Sequence, residues 1–227
     1  MKLLIDDANV QEIERLMKIY PIDGVTTNPT IIARTKKDPK DLLLEIRRII
    51  GKDKLLFVQS VATDAEGIVE DGLAIVECLG ENTVVKIPCN TEGLQAIKAL
   101  SKKGIVCCGT TAYTALQAYL VAHSGAKYVA PYVNRIDNMG FNGVEVVQQM
   151  QNILDNHGYD CQIMAASFKN SQQVLELCEY GIGLVTCAPD VIDNFINNPS
   201  IDKAVDDFTK NFEAVYGEKT MKDILNS

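Results

Sequence analysis

Two histidines, no C-x-x-C pair and no apolar run approaching 18 residues set the first limits on this 227-residue chain. Metal sites and paired-thiol centres draw on clustered His and Cys, so neither is legible, and no metal or cofactor is expected. His123 and His157 stand before Ser124-Gly125 and Gly158, where glycine reads as a helix stop. Seven cysteines, at 78, 89, 107, 108, 161, 178 and 187, are an odd number set mostly in apolar runs, and they read as reduced core residues. The short apolar runs exclude a transmembrane helix. Asp6 and Asp7 interrupt the first apolar run too early for a signal peptide, so a cytoplasmic protein is expected. Positive charge is in deficit, 22 Lys and Arg against 30 Asp and Glu, for a net charge of −8. That field repels nucleic acid and anionic membranes. Neither is an expected partner, and an anionic ligand must be held by a few local cations. A G-x-G-x-x-G turn after the first strand is also missing. Gly181-Ile182-Gly183 precedes a strand instead of opening a helix, which removes the main signature of a doubly wound dinucleotide fold.

What is present is an ordinary globular composition, 47% hydrophobic and 23% charged, arranged in a regular alternation. Short apolar runs near 2–6, 24–27, 55–61, 83–88, 104–109, 128–132, 161–166 and 184–188 read as strands. Between them, helix-period segments cover Val10 to Ile19, Leu42 to Ile50, Ala65 to Leu79, Leu94 to Leu100, Tyr113 to Ala122, Val144 to Leu154 and Gln172 to Glu179. Eight βα units without a linker predict an α/β fold, a single (β/α)8 TIM barrel over 1–200. A C-terminal helical extension over 201–227 follows. Its stripe of Val205, Phe208, Phe212 and Val215, with Met221, Ile224 and Leu225 beyond Gly217, is either a lid on its own barrel or an arm on a neighbouring subunit.

Lys86 is the residue that most needs a reason. It sits within Thr83-Val84-Val85-Lys86-Ile87-Pro88, a β-branched stretch of the kind buried on both faces of a parallel sheet, where a charge is costly. Desolvation disfavours an ammonium, and a neutral amine attacks carbonyls to form Schiff bases; the alternative is a strand-end lysine reaching solvent. TIM-barrel active sites lie at the C-terminal ends of the strands. In strand order those ends carry Asp6, Asn28, Gln59, Lys86, Thr110, Tyr132 with Arg135, and Ser167 with Lys169. Nearly every one can ionise or hydrogen-bond.

Four segments make the pattern specific: Gly24-Val25-Thr26-Thr27-Asn28-Pro29-Thr30-Ile31-Ile32, Val84-Val85-Lys86-Ile87-Pro88, Ala130-Pro131-Tyr132-Val133-Asn134-Arg135-Ile136-Asp137 and Ala165-Ala166-Ser167-Phe168-Lys169. With them the chain resembles the transaldolase family, in particular its small branch that contains fructose-6-phosphate aldolases, from the first strand to about residue 217. The resemblance implies a metal-free, class I aldol enzyme with Lys86 as Schiff-base nucleophile. It implies that Asp6 and Asn28 orient the donor hydroxyls, Asp6 also accepting a proton, while Gln59, Thr110 and Tyr132 hold a proton-shuttling water. Arg135 and Ser167 would bind the substrate phosphate, with Thr27 and Lys169 as further substrate contacts. Transaldolases of the family usually carry Glu and Phe where this chain has Gln59 and Tyr132, so the resemblance points to fructose 6-phosphate cleavage and away from dihydroxyacetone transfer between sugar phosphates. It also implies a homo-pentamer or decamer. Ser60, Thr111 and Cys89-Asn90 depart from the residues expected beside these motifs, which leaves donor and acceptor preference open.

Overall fold

The structure is a computed structural model, described over residues 1–226. Eight parallel strands close into a barrel in sequence order: β1 (Lys2–Asp6), β2 (Gly24–Thr26), β3 (Leu55–Gln59), β4 (Thr83–Pro88), β5 (Cys107–Ala112), β6 (Tyr128–Pro131), β7 (Gln162–Ala165) and β8 (Leu184–Cys187). Pairing of Lys2 with Leu184 and Ile5 with Cys187 closes the ring. Helices α1 (Val10–Ile19), α2 (Pro29–Thr35), α3 (Pro39–Ile50), α4 (Ala65–Leu79), α5 (Thr91–Lys102), α6 (Ala115–His123), α7 (Val133–Asn138), α8 (Gly143–Asn156), α9 (Ser171–Tyr180) and α10 (Pro189–Asp193) follow their strands. The fold is the expected (β/α)8 TIM barrel, continued by C-terminal helices.

α1 and α4 fall where their periodicity predicts, because both are punctuated at each end. Asn9 caps the backbone of Gln11, Asp64 caps that of Gly67, and Gly80 ends α4 with φ 74°. β5 lies three residues beyond its expected position. Gly104, at φ 77°, carries the chain through the left-handed turn that ends α5, and ladder pairing begins only at Cys107. α2, α7 and α10 escape a sequence reading because seven, six and five residues are too few to show a 3.6-residue period.

The period of two along each strand separates two cores. Outward residues such as Ile5, Val25, Leu56, Val85, Val129 and Val185 pack beneath the helices. Inward residues Leu4, Phe57, Val84, Cys108, Tyr128, Ala130, Met164 and Leu184 fill the barrel with a separate apolar plug, with Phe57 and Tyr128 meeting edge to face at 5.2 Å. Following the same inward parity toward the C-terminal ends replaces apolar groups by Asp6, Thr26, Gln59, Lys86, Thr110, Tyr132 and Thr186. The site is thus the polar continuation of the plug.

The chain divides into two compact units, 1–192 and the residues from Asp193 onward. In the second unit Asn198 and Pro199 open α11 (Pro199–Tyr216), Gly217 closes it, and α12 (Met221–Leu225) follows. Among the described residues no helix is long and apolar enough to cross a membrane. All seven cysteines are free thiols. Burial pushes Cys107 and Cys161 up to about 12, which suits inert core residues, whereas Cys78 and Cys178 are exposed on helices. His123 and His157 do end α6 and α8. They meet Tyr119 and Tyr159 in a surface cluster, with His123 Nδ1 and the Tyr159 hydroxyl 2.9 Å apart.

Candidate active site

β4 sets the site. Lys86 is only 4% exposed, pairs in register with Gln59 on one side and Cys108 on the other, and donates from Nζ to the Thr27 carbonyl at 2.9 Å. The end of β4 is fixed closely: a Cβ on Gly93, in the first turn of α5, would lie 1.8 Å from the Pro88 carbonyl oxygen. Only glycine lets that helix sit so tightly on the lysine's strand.

Asp6, at the end of β1, is the acid of the site. Its Oδ1 accepts a 2.8 Å hydrogen bond from the Thr26 hydroxyl. Burial pushes its carboxyl above the usual range, and the charge on Lys86 and the Thr26 hydrogen bond only partly counter that push. A partly buried carboxylate within the field of the Lys86 charge, with raised proton affinity, is suited to take a proton and return it.

On the far wall Thr110 Oγ1 and the Tyr132 hydroxyl lie 3.1 Å apart. Two of the three groups expected to share a water therefore touch directly, because β5 and β6 are neighbours and both residues point inward. Burial raises the Tyr132 phenol, against the Thr110 hydrogen bond and the Arg135 charge, so it stays a neutral hydroxyl. Tyr113 meets the Tyr132 ring edge-on at 5.8 Å, and the Arg135 guanidinium stacks over it at 4.4 Å. Arg135 has no carboxylate in salt-bridge contact among the described residues.

Backbone strain collects at the same end. Thr111, at φ 59°, makes the register shift between Thr110 and Ala112, a bulge next to a site residue. Its carbonyl accepts from the Cys89 thiol at 3.2 Å, so two of the residues that depart from the family pattern interlock. Ser167, at φ 62°, offers its carbonyl to the Asn134 amide at 2.9 Å. That links the loop after β7 to α7, which carries Arg135. Both are non-glycine residues in the left-handed region, a conformation that costs energy and is concentrated at functional sites. Ser60 has a structural explanation: with the amides of Val61 and Ala62 it donates to Asp71 at 2.7 to 3.0 Å. Burial works against the Asp71 carboxylate, but the three donors hold it below its usual range.

The remaining expected residues divide. Asn28 uses its side-chain carbonyl oxygen to cap α2 through the Ile31 amide at 3.0 Å, which leaves its NH2 group for a ligand. Thr27, expected as a substrate contact, lies just beyond the end of β2. It is fully buried, its hydroxyl donates to the Phe57 carbonyl at 3.1 Å, and its contribution to the site is the carbonyl that receives Lys86. Lys169 is exposed, and among the described residues only its backbone is held, its amide donating to Gln173 Oε1 at 2.8 Å. Two residues that a sequence reading misses are Thr26 and Thr186, whose buried hydroxyls lie 2.7 Å apart.

A closed parallel barrel that gathers a buried lysine, a carboxylate and paired hydroxyls at the C-terminal ends of its strands has the site architecture of a TIM-barrel enzyme. The chain belongs to the family described as transaldolase/fructose-6-phosphate aldolase, whose model matches residues 3–226, and it is an enzyme of the aldolase/transaldolase type. Among solved structures it is similar to native KDPGal, at 13% identity and TM-score 0.59 over 84% of each chain. It is also similar to a mandelate racemase/muconate lactonizing enzyme-like protein from Rubrobacter xylanophilus DSM 9941, at 10% identity and TM-score 0.61, over 83% of this chain and 57% of that longer one. At such identities the likeness speaks for the barrel alone.

Proposed function

We propose that the protein is a class I aldolase that reversibly cleaves fructose 6-phosphate to dihydroxyacetone and glyceraldehyde 3-phosphate through a Schiff base on Lys86. The Lys86 amine adds to C2 of the ketose and water leaves, giving an iminium. Asp6 removes the C4 hydroxyl proton, the C3–C4 bond breaks, and its electron pair enters the iminium to give an enamine as glyceraldehyde 3-phosphate departs. Protonation at C3 and addition of water then release dihydroxyacetone and restore the amine.

The observation that carries cleavage over transfer is the Thr110–Tyr132 hydroxyl pair on the wall opposite Asp6, with an uncharged Gln59 in register with Lys86. A transaldolase must keep its enamine until an acceptor aldehyde arrives, whereas an aldolase must protonate it. A phenol held neutral by burial and hydrogen-bonded to a threonine can hold the water that does so. Gln59→Glu combined with Tyr132→Phe should lower release of dihydroxyacetone from fructose 6-phosphate by about 10²-fold, while raising transfer to erythrose 4-phosphate. Wild-type protein in which transfer outpaces cleavage would instead be a transaldolase.

Arg135, stacked on Tyr132 and without a carboxylate in salt-bridge contact among the described residues, is assigned to the substrate phosphate, with Ser167 beside it. A charge-assisted contact contributes roughly 1.5–3 kcal/mol. Arg135→Ala should therefore raise KM for glyceraldehyde 3-phosphate by about 10- to 100-fold in the condensation direction, with little change for unphosphorylated glyceraldehyde. Equal losses for both aldehydes would count against a phosphate role.

A further inference from the structure

The loop after β7 is tied to α7 at two points, one on each side of Arg135. At the first, the Ser167 carbonyl accepts from the Asn134 amide at 2.9 Å. At the second the tie is a side chain. Gln173, in the first turn of α9, accepts the Lys169 amide on Oε1 at 2.8 Å and donates from Nε2 to Asp137 Oδ2 at 2.6 Å. Asp137 is anchored in turn, because its Oδ1 accepts the Gly143 amide at 2.7 Å. In the row Lys169, Gln173, Asp137, Gly143 a donor thus faces an acceptor at each of three contacts. A glutamine at this place in a helix often does no more than cap it, its carbonyl returning to an amide before the first turn. Gln117 does that on α6, where Oε1 accepts the Tyr113 and Thr114 amides at 2.7 and 3.0 Å. α9 is capped by Asn170, which accepts the Gln173 amide at 3.0 Å. A cap does not require the Nε2 bond, which reaches across 36 positions to another helix.

We infer that Gln173 is a positioning residue for the phosphate site: its two-ended hydrogen bond holds the segment Ser167-Phe168-Lys169 against α7 and so fixes the spacing of Ser167 from Arg135. The inference rests on reading Arg135 and Ser167 as the groups that bind the substrate phosphate. A primary amide suits the place because one end accepts and the other donates, and it meets an N–H on one side and a carboxylate on the other. Ser167, at φ 62°, is a non-glycine residue in the left-handed region, a conformation that persists only where the surroundings over-determine it. The two ties do so from either end of its segment. Among the described residues the row shares no hydrogen bond with Lys86, Asp6, Thr110 or Tyr132, so a change at Gln173 reaches the phosphate end of the site and leaves the carbon chemistry alone.

The test is steady-state kinetics of the condensation of dihydroxyacetone with glyceraldehyde 3-phosphate and, separately, with unphosphorylated glyceraldehyde. The variants are Gln173→Leu, Gln173→Glu and the pair Gln173→Glu with Asp137→Asn. The leucine change removes both bonds, and the glutamate change sets a second carboxylate against Asp137. Each should raise KM for glyceraldehyde 3-phosphate by about 3- to 10-fold, the scale of one ordinary hydrogen bond, with kcat and the unphosphorylated aldehyde little changed. In the pair, the amide at 137 donates to the carboxylate at 173 and still accepts from Gly143, while that carboxylate accepts the Lys169 amide, so the wild-type KM should return. Gln173→Ala, which adds no bulk, gives the same reading if the leucine variant does not fold. Equal losses for both aldehydes, a KM for glyceraldehyde 3-phosphate that the single changes leave unmoved, or one that the pair does not restore, overturns the inference. Arg135→Ala, measured alongside, checks the reading beneath it. If it separates the two aldehydes and the Gln173 variants do not, the phosphate site stands and Gln173 has no part in it. If Arg135→Ala itself does not separate them, the phosphate is bound elsewhere and the inference falls with that reading.

Discussion

Lys86→Met should leave a folded barrel whose turnover of fructose 6-phosphate has fallen by about a millionfold, the scale on which loss of a covalent nucleophile is felt. Methionine keeps the length and most of the volume of lysine, so the apolar plug beneath it need not repack. The Thr27 carbonyl loses the 2.9 Å bond from Nζ, a loss of about 1–3 kcal/mol. Relief from burying an ammonium at 4% exposure offsets it. Thermal unfolding should therefore shift by only a few degrees, and kinetics with circular dichroism on one preparation checks both halves. A variant that is folded and retains a tenth of wild-type activity would show that Lys86 is not the nucleophile.

Asp6→Asn should separate catalysis from stability in opposite directions. Asparagine still accepts the Thr26 hydrogen bond but cannot take a proton, so kcat should fall by about 10²- to 10⁴-fold. For stability, the native carboxyl sits above its ordinary value because burial outweighs the Lys86 charge and the Thr26 bond. The native state then binds the Asp6 proton more tightly than the unfolded chain does. The stability this group contributes is fully present below the unfolded value of about 4, and it is lost as pH rises through the raised native value. The amide that replaces the carboxyl does not titrate. The melting temperature of Asp6→Asn minus that of wild type should accordingly widen from pH 4 toward neutrality. A difference that is flat, or that narrows, would mean that Asp6 is not held there against its solvation.

Much of this was legible because the barrel repeats one simple signal eight times. Apolar runs of strand length alternating with capped helical periods suffice to order β1 through β8, and the strand ends then locate Asp6, Gln59, Lys86, Thr110 and Tyr132 at one end of the ring. Parity along a strand is harder to read when the run is short. Thr26 and Thr27 both fall inside a family motif, yet β2 turns Thr26 inward to Asp6 and sends the Thr27 hydroxyl to the Phe57 carbonyl. Thr186 was invisible for a different reason. It is one polar residue within Leu184-Val185-Thr186-Cys187, and its partner is 160 positions away, so only closure of β8 onto β1, with β2 on the other side of β1, brings the two hydroxyls together. The left-handed backbone at Thr111 and Ser167 likewise follows from tertiary constraint, since neither residue type favours that conformation.

The central claim is the covalent one, and reductive trapping tests it most directly. The protein is incubated with dihydroxyacetone and sodium borohydride, digested, and mapped by mass spectrometry. A single reduced adduct on the peptide containing Lys86, absent from Lys86→Met, is the predicted result. An adduct on another lysine, or an active enzyme that cannot be trapped at all, would contradict the account.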